Sequence, residues 1–336
     1  MLPVDQIVGQ PQVNAFAANT PVYQTLPKEA IYDEIAIRVS GTLTNASYSV
    51  APTKRVESVQ NLLGLVTLSA TGDVAEQFKS VGFDWLCRQM QLLEGTAGYT
   101  NDVGTANQAY NFETQGKIYL RGAKWKSWAD TLLDSRLLSN LTLGINWRDA
   151  TAMVTGGTGG TSTLSNVQAT LLARLWYGTN PNGVPGFGYL KESEIITNIA
   201  ASQQGFDINT LPTGNLIRRM EFKGMVGGVG YADPSDSLFD TTRTVNIQVK
   251  DGAVYPVQSG YNDLRSRNKV FYGLESMPSG HAIWEPSIHG TNREQYDARK
   301  KRVLEALVDV AFTGGQTNTL AIRTVEHVIP ASATRK

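Results

Sequence analysis

Residues 56–94 read VESVQNLLGLVTLSATGDVAEQFKSVGFDWLCRQMQLLE, and how this stretch is parsed decides the fold. Val56 to Ala70 is rich in Val and Leu. It is too short to span a bilayer and suits a strand buried on both faces. Gly72 breaks it. Asp73 is placed to cap a helix, with Glu76 three residues later in capping-box spacing. Phe78, Val81, Trp85, Leu86, Met90 and Leu93 follow at helical spacing, and Gly95 stops the stripe.

A fainter copy stands in the later half. Val245, Ile247 and Val249 alternate with Asn246, Gln248 and Lys250, which is strand spacing. Asp251–Gly252 supplies a turn. Ser259 is placed to cap a short helix from Tyr261 to about Tyr272, ended by Gly273. A strand–helix unit in each half predicts two similar domains in tandem.

Composition narrows the class. The 336 residues suffice for two domains of ordinary size. Lys plus Arg number 30 and Asp plus Glu number 30, so the formal charge is zero. That argues against a chain whose main task is gripping nucleic acid, which calls for a basic face. No apolar run reaches the roughly 18–20 residues needed to cross a bilayer. Met1 to Asn19 lacks the basic start and apolar core of a signal peptide. Cys87 is the single cysteine, which rules out an intrachain disulfide and a structural zinc cluster; its place in the apolar helix makes it a core filler.

Working outward, residues 1–21 show little periodicity and read as an N-terminal arm, ordered only if something holds it. Val22 to Leu26 is a short strand. From Ile31 to Val39, Ile31, Ile35, Ile37 and Val39 alternate with Tyr32, Glu34, Arg38 and Ser40, a half-solvated strand. Gly95 to Thr114 reads as a long polar loop. Ile118 and Leu120 mark a strand, and Leu137, Leu141, Leu143, Ile145 and Trp147 share the face of another. Val154 to Ser165 is a linker or hairpin tip. Val167 to Tyr177 alternates as a strand, although Leu171, Leu172, Leu175 and Trp176 also fit a helix face. The breaker cluster GTNPNGVPGFG (178–188) sets the domain boundary, giving domains at 22–182 and 183–336. Beyond it, strands are expected at 195–199, 216–226, 281–284 and 320–329. Residues 292–302 look helical, and 304–312 continue as a strand, with a single helix over 292–311 as the competing reading. The fold class is all-β with short inserted helices, two β-sandwiches or barrels in tandem.

This order of elements resembles the double jelly-roll major capsid proteins of tailless, membrane-containing icosahedral bacteriophages of the corticovirus and tectivirus type. The residues that carry the likeness are IYDEIAIRVSGTLT (31–44), VTLSATGDVAEQFKSVGFDW (66–85) and LLSNLTLGINW (137–147) with the glycine loop after it. In the second half they are NDLRSRNKVFYG (262–273), LEALVDVAFTGG (304–315) and IRTVEHVIP (322–330). The resemblance implies two tandem eight-stranded jelly-roll β-barrels and a homotrimer of nearly hexagonal outline that tiles a closed shell. It also implies minor capsid, vertex or membrane proteins as partners, an internal lipid membrane near the N-terminal arm, no sequence-specific nucleic-acid binding, and location in the virion after synthesis in the host cytoplasm.

Each group of residues with candidate chemistry also fits a plainer role. His281, Glu285 and His289 (HAIWEPSIH) have zinc-binding residue types. On an extended strand, however, they spread over more than about 20 Å, and ordinary strand residues are the better reading. Asp233, Asp236 and Asp240 offer oxygens for calcium, but their spacing is not that of an EF-hand loop, and turn chemistry accounts for them. GGTGGT (156–161) and GMVGGVG (224–230) lack the Gly-Lys-Ser/Thr ending of a phosphate loop. Lys124, Trp125, Lys126 and Trp128 mix charge and aromatic groups in a way that suits a membrane interface or stacking on bases, against packing at a barrel end. Arg299 to Arg302 is the strongest basic run, either a solvated turn or a contact with a neighbouring subunit or lipid. No Ser–His–acid arrangement is suggested, and no catalytic, cofactor or metal residue is assigned.

Three functions fit: a structural coat protein, a two-domain β-sandwich that binds carbohydrate or a cell surface, and a glycan-active enzyme on such a scaffold. The absence of a convergent acidic or aromatic site favours the first, a non-enzyme.

Overall fold

The computed structural model describes residues 4–9, 20–71, 76–95, 99–121, 131–178, 188–227, 232–286, 295–301 and 303–329. The chain divides into two compact units that meet in sequence at Tyr189 and Leu190.

The first unit contains β1 (Val4–Gly9), β2 (Pro21–Thr25), β3 (Ile31–Ala46), β4 (Leu63–Thr71), β5 (Glu76–Gly82), α1 (Phe83–Glu94), β6 (Tyr99–Asn101), β7 (Ala109–Tyr119), β8 (Asn140–Trp147) and β9 (Thr161–Trp176). One sheet runs in the order β1-β9-β3-β7-β6; β5, β4, β8 and β2 lie side by side in that order elsewhere. The pattern that competed with a helix at 167–177 resolves as a strand. Val167, Ala169, Leu171, Ala173 and Leu175 are buried, while Gln168 and Leu172 are exposed. Ile37 faces Leu171 across one ladder and Gly116 across the other. A Cβ added to Gly116 would stand 2.8 Å from the Phe83 ring and 3.0 Å from Leu86 Cβ. Only glycine lets α1 approach β7 so closely.

The first unit differs from the sequence expectations in three places. First, residues 56–94 hold two strands rather than one. Ser58–Asn61 is a 3-10 turn, β4 begins at Leu63, and β5 pairs antiparallel with it, Val66 opposite Val81 and Leu68 opposite Lys79. The helix then starts at Phe83 with Gly82 as N-cap and no side-chain cap. Phe78, Lys79 and Val81 are all buried. A strand covered on both faces imposes no period of two, so apolar residues three apart imitate a helix there. Asp73 lies outside the described residues. Second, β3 is not half-solvated at its start. Tyr32, Asp33 and Glu34 are buried, and Glu34 is held by Lys117 at 3.2 Å and Arg121 at 3.2 Å. Ion pairing lets polar residues occupy a covered face. Third, the polar loop at 95–114 contains β6 and the first residues of β7.

Leu137 belongs to a 3-10 turn, Ser135–Leu137, and is exposed. Residues 156–160 make a turn in which Gly156, Gly157 and Gly159 all have positive φ. The start of the arm is held: β1 pairs antiparallel with β9, Val4 opposite Leu175.

The second unit contains β10 (Tyr189–Ile199, all but its first residue), β11 (Gln203–Ile208), β12 (Leu216–Gly227), β13 (Ile247–Asp251), β14 (Val254–Ser259), α2 (Tyr261–Tyr272), β15 (His281–Trp284), β16 (Glu305–Val310) and β17 (Thr317–Val328). β12, β17 and β10 are neighbours in that order, and β15 pairs with the other edge of β12; β11-β16-β13-β14 form the second sheet. Met220 and Phe222 of β12, Ile322 of β17, Ile247 and Val249 of β13, and Val308 of β16 share one apolar cluster. The two sheets of this unit therefore face each other across it.

The fainter copy in this half is closer than its sequence suggests. Both helices have 12 residues and follow an antiparallel strand pair. Gly82 and Gly260 enter them with φ −62°, ψ 146° and φ −62°, ψ 147°. Gly95 and Gly273 close them in the left-handed region. The N-cap of α2 is Gly260 rather than Ser259, and the Asn246 side-chain oxygen accepts the Tyr261 N–H at 3.1 Å. The expected helix at 292–302 is not found over 295–301. Tyr296–Asp297 pairs with β12, and Asp297 accepts hydrogen bonds from the backbone and guanidinium of Arg299. Such local side-chain bonding turns the chain where charge pattern alone suggests a helix.

Candidate functional site

Strand β12 decides where the charged chemistry of the second unit sits. Met220 and Phe222 point into the apolar cluster, so the alternate positions Arg219, Glu221 and Lys223 share the opposite face. All three are buried. The register sets Arg323 opposite Glu221 and His281 opposite Lys223 on the flanking strands.

Glu221 is the hub. Its Oε1 lies 2.5 Å from His281 Nδ1, and its Oε2 accepts from Arg323 Nη1 at 2.8 Å. Arg323 Nε also reaches Glu194 of β10 at 2.7 Å. Burial alone would raise the Glu221 pKa, but the His281 and Arg323 charges hold it below the usual carboxylate range. A second group stands beside it. Arg219 donates to Glu285 at 2.5 Å, and the Tyr272 hydroxyl donates to the same oxygen at 3.1 Å. Burial pulls the neighbouring Arg218 guanidinium down to about 10.

This arrangement holds strands together rather than waiting for a substrate. Each carboxylate oxygen of Glu221 already has a donor, so neither is free to take a proton from another molecule. A buried ionic cluster that is fully paired specifies register.

The residues singled out in the sequence do not converge. His281 bonds Glu221, Glu285 bonds Arg219 and Tyr272, and His289 lies outside the described residues. Asp236 accepts from the Tyr261 hydroxyl, Arg265 and the Gly280 N–H, tying α2 to the segment before β15. Asp240 binds Thr242 and Arg243 in its own turn. Among the described residues, no group of three His, Cys, Asp or Glu is placed to hold a metal ion. Gly224 is used for packing: a Cβ there would meet the Phe239 ring at 2.8 Å. Lys124, Trp125, Lys126 and Trp128 lie outside the described residues. Of the basic run, Arg299 pairs with Asp297 and Lys301 with Asp251. Cys87 is buried, and burial raises its thiol pKa, which disfavours the thiolate. The Glu221 hub itself was not visible in sequence, because its members lie on four strands far apart in the chain.

Comparison with known proteins turns on this architecture. No protein-family model matches the chain, and no curated protein matches it in sequence. Solved structures do match. The STIV MCP superposes with a TM-score of 0.72 at 14% identity, over 99% of this chain and 98% of that one. A chain of Sulfolobus Turreted Icosahedral Virus gives 0.74 at 13% identity, over 99% and 92%. The major capsid protein of bacteriophage PM2 gives 0.59 at 10% identity, over 98% and 98%. The chain is a double jelly roll. Each of the two compact units described above carries its own strands and one helix. In this double jelly roll, α1 and α2 are the inserted helices, one per roll, at equivalent places.

Proposed function

We propose that this double jelly roll is the major coat protein of an icosahedral virus shell and acts through subunit packing rather than catalysis. The observation that carries the reading is the full-length match to the STIV MCP, 99% of this chain against 98% of that one. Physical sense supports it. A trimer of two-barrel chains presents six similar barrels and packs as a near-hexagon with only three polypeptides. The zero formal charge suits a shell wall that need not grip the genome. Its partners on this reading are neighbouring trimers, with minor capsid and vertex proteins and an internal membrane behind them, and its place is the virion. The arm and domain limits at 1–21, 22–182 and 183–336 are part of the proposal, with β1 closing the edge of the first roll. The basic residues at 299–302 would meet a neighbouring subunit.

The test is the solution mass and appearance of the purified protein. A stable trimer that forms sheets or closed shells under the electron microscope is the expected result. A monomer at micromolar concentration that never assembles overturns the proposal.

A further inference from the structure

We propose that the outer face of β4, β8 and β2 in the first unit is a two-fold contact, at which one copy of this chain meets a second copy through the same residues. The inference rests on the coat reading and adds to it the surface that joins trimer to trimer.

The sequence marks this face by what it lacks. β2 (PVYQT), β8 (NLTLGINW) and β4 (LGLVTLSAT) contain no Asp, Glu, Lys or Arg, in a chain of which 18% is charged. Leu141, Leu143 and Ile145 of β8 are buried, so the alternate positions face outward. The register then lays out two uncharged rows: Tyr23, Gly144, Thr67 and Ser80, and beside them Thr25, Thr142 and Ser69. The other sheet of this unit has the opposite character. It is laced with ion pairs, Arg38 with Glu113 at 2.6 Å, Lys117 with Glu34 at 3.2 Å and Arg174 with Asp5 at 3.0 Å.

Tyr23 gives the face its anchor. It is 68% exposed. A Cβ on Gly144 would stand 3.0 Å from the Tyr23 ring and 2.5 Å from Thr67 Oγ1, so glycine is what lets the ring lean over the sheet. Tyrosine is enriched in the centres of protein contacts, because it brings a large rigid area at little cost in entropy.

Charge and symmetry select the occupant. A closed shell of trimers needs a second kind of contact besides the one that holds each trimer, and a two-fold is the commonest kind. In a two-fold contact the patch meets itself, so a charge near the axis faces its own copy and is repelled. A face without charge meets that requirement. Its size fits as well. The eight residues of β8 at about 3.4 Å each, across four strands about 4.8 Å apart, make a face of roughly 27 Å by 15 Å, on the order of 400 Å² per copy. A pair of such faces buries about 800 Å², below the roughly 1,200 Å² of a stable complex. The contact is weak alone, leaves trimers separate in dilute solution, and gains strength when each trimer makes several at once.

The experiment compares the full-length wild-type protein with Tyr23→Glu and Tyr23→Lys, each purified separately, with assembly followed by light scattering and electron microscopy. Either charged variant alone should need a concentration about tenfold or more higher than wild type to assemble, with trimer mass and unfolding temperature unchanged. The neutral Tyr23→Gln should lose less. An equal mixture of the Glu and Lys variants should assemble again, because each charge then faces its opposite. Thr25→Glu and Thr25→Lys, one row away, repeat the test at a second exposed position. Assembly of both charged variants at the wild-type concentration overturns the proposal. So does a loss that mixing does not restore, since the face would then meet a different surface or a different molecule. Wild-type protein that never assembles overturns the coat reading, and this contact falls with it.

Discussion

His281 Nδ1 lies 2.5 Å from Glu221 Oε1, with both side chains wholly buried and on adjacent strands. Arg323 closes the other side of the same carboxylate at 2.8 Å. Three charge-bearing groups with no access to solvent are stable only while each is paired. Glu221→Gln leaves Arg323 and His281 against a neutral amide and should cost about 3–5 kcal/mol of unfolding free energy. Denaturant unfolding measures it. The double change Glu221→Leu with Arg323→Met, made in a Glu194→Gln background so that no carboxylate loses its Arg323 partner, should recover part of that loss, since apolar side chains need no partner. A double variant less stable than Glu221→Gln would show that the cluster contributes more than mutual compensation.

The same carboxylate predicts acid sensitivity. Its folded pKa is depressed below the unfolded value of about 4.3. The stability it contributes is therefore complete above that value and drains away as pH falls through the folded pKa. Glu94, lowered by Lys117 and Tyr119 against a burial effect of opposite sign, acts in the same direction. Unfolding temperature should be flat from neutral pH to about 5 and fall below it. In Glu221→Gln the acid limb should be shallower. An identical acid limb in the two proteins would exclude Glu221 as a source of the effect.

The paired helix ends supply a test of the duplication. Gly95 and Gly273 both adopt left-handed backbone, and a Cβ at either would meet nothing within 4 Å. The cost of an alanine there is conformational alone, about 1–2 kcal/mol at each site. Gly95→Ala and Gly273→Ala should therefore lose nearly equal stability, and Asn at either position should lose less. A large difference between the two alanine variants in thermal unfolding would mean that the helix ends are not equivalent.

How far the fold could be read in the sequence depended on which faces are covered. Where one face meets solvent, alternation was legible: β9 shows its core residues at every second position from Val167 to Leu175. The extent of the helix at Tyr261–Tyr272 was readable and Gly273 marked its end, although its N-cap is Gly260 and not the expected Ser259. Where both faces are buried, the pattern misled. β5 reads as the first turns of a helix because Phe78 and Val81 are both buried, and none of its described side chains is exposed to mark the period. The candidate site shows the same limit from the polar side. His281 and Glu285 stand close in sequence, yet their partners Glu221, Arg219 and Tyr272 come from other elements.

Trp85 tests the core of the first roll. It is fully buried near the start of α1, with Phe83 and Leu86 beside it in sequence and equally covered. Trp85→Ala removes a large aromatic from a closed interior and should cost about 3–5 kcal/mol. The expected outcome is loss of soluble, folded protein in expression trials. If this variant instead yields normal amounts of protein with unchanged unfolding, α1 is not part of the load on this core.

The final prediction separates folding from assembly. β1 is an edge strand: it pairs with β9, and Arg174 on β9 reaches Asp5 at 3.0 Å while the Tyr177 hydroxyl donates to Gln6 at 2.8 Å. These contacts are exposed, and an exposed ion pair contributes only about 0–1 kcal/mol. The inner residues of β9 also pair with β3, so the roll does not depend on β1 for its core. If the chain is the proposed coat protein, deleting residues 1–20 should leave its trimers of near-normal stability by light scattering. It also bares the main-chain groups of β9 along one edge, a template for incorrect pairing. Sheets or shells seen in the microscope should then be replaced by irregular aggregates. Normal particles from the truncated chain would mean that β1 and the residues after it take no part in assembly, while monomers would place the trimer contact on the deleted residues themselves.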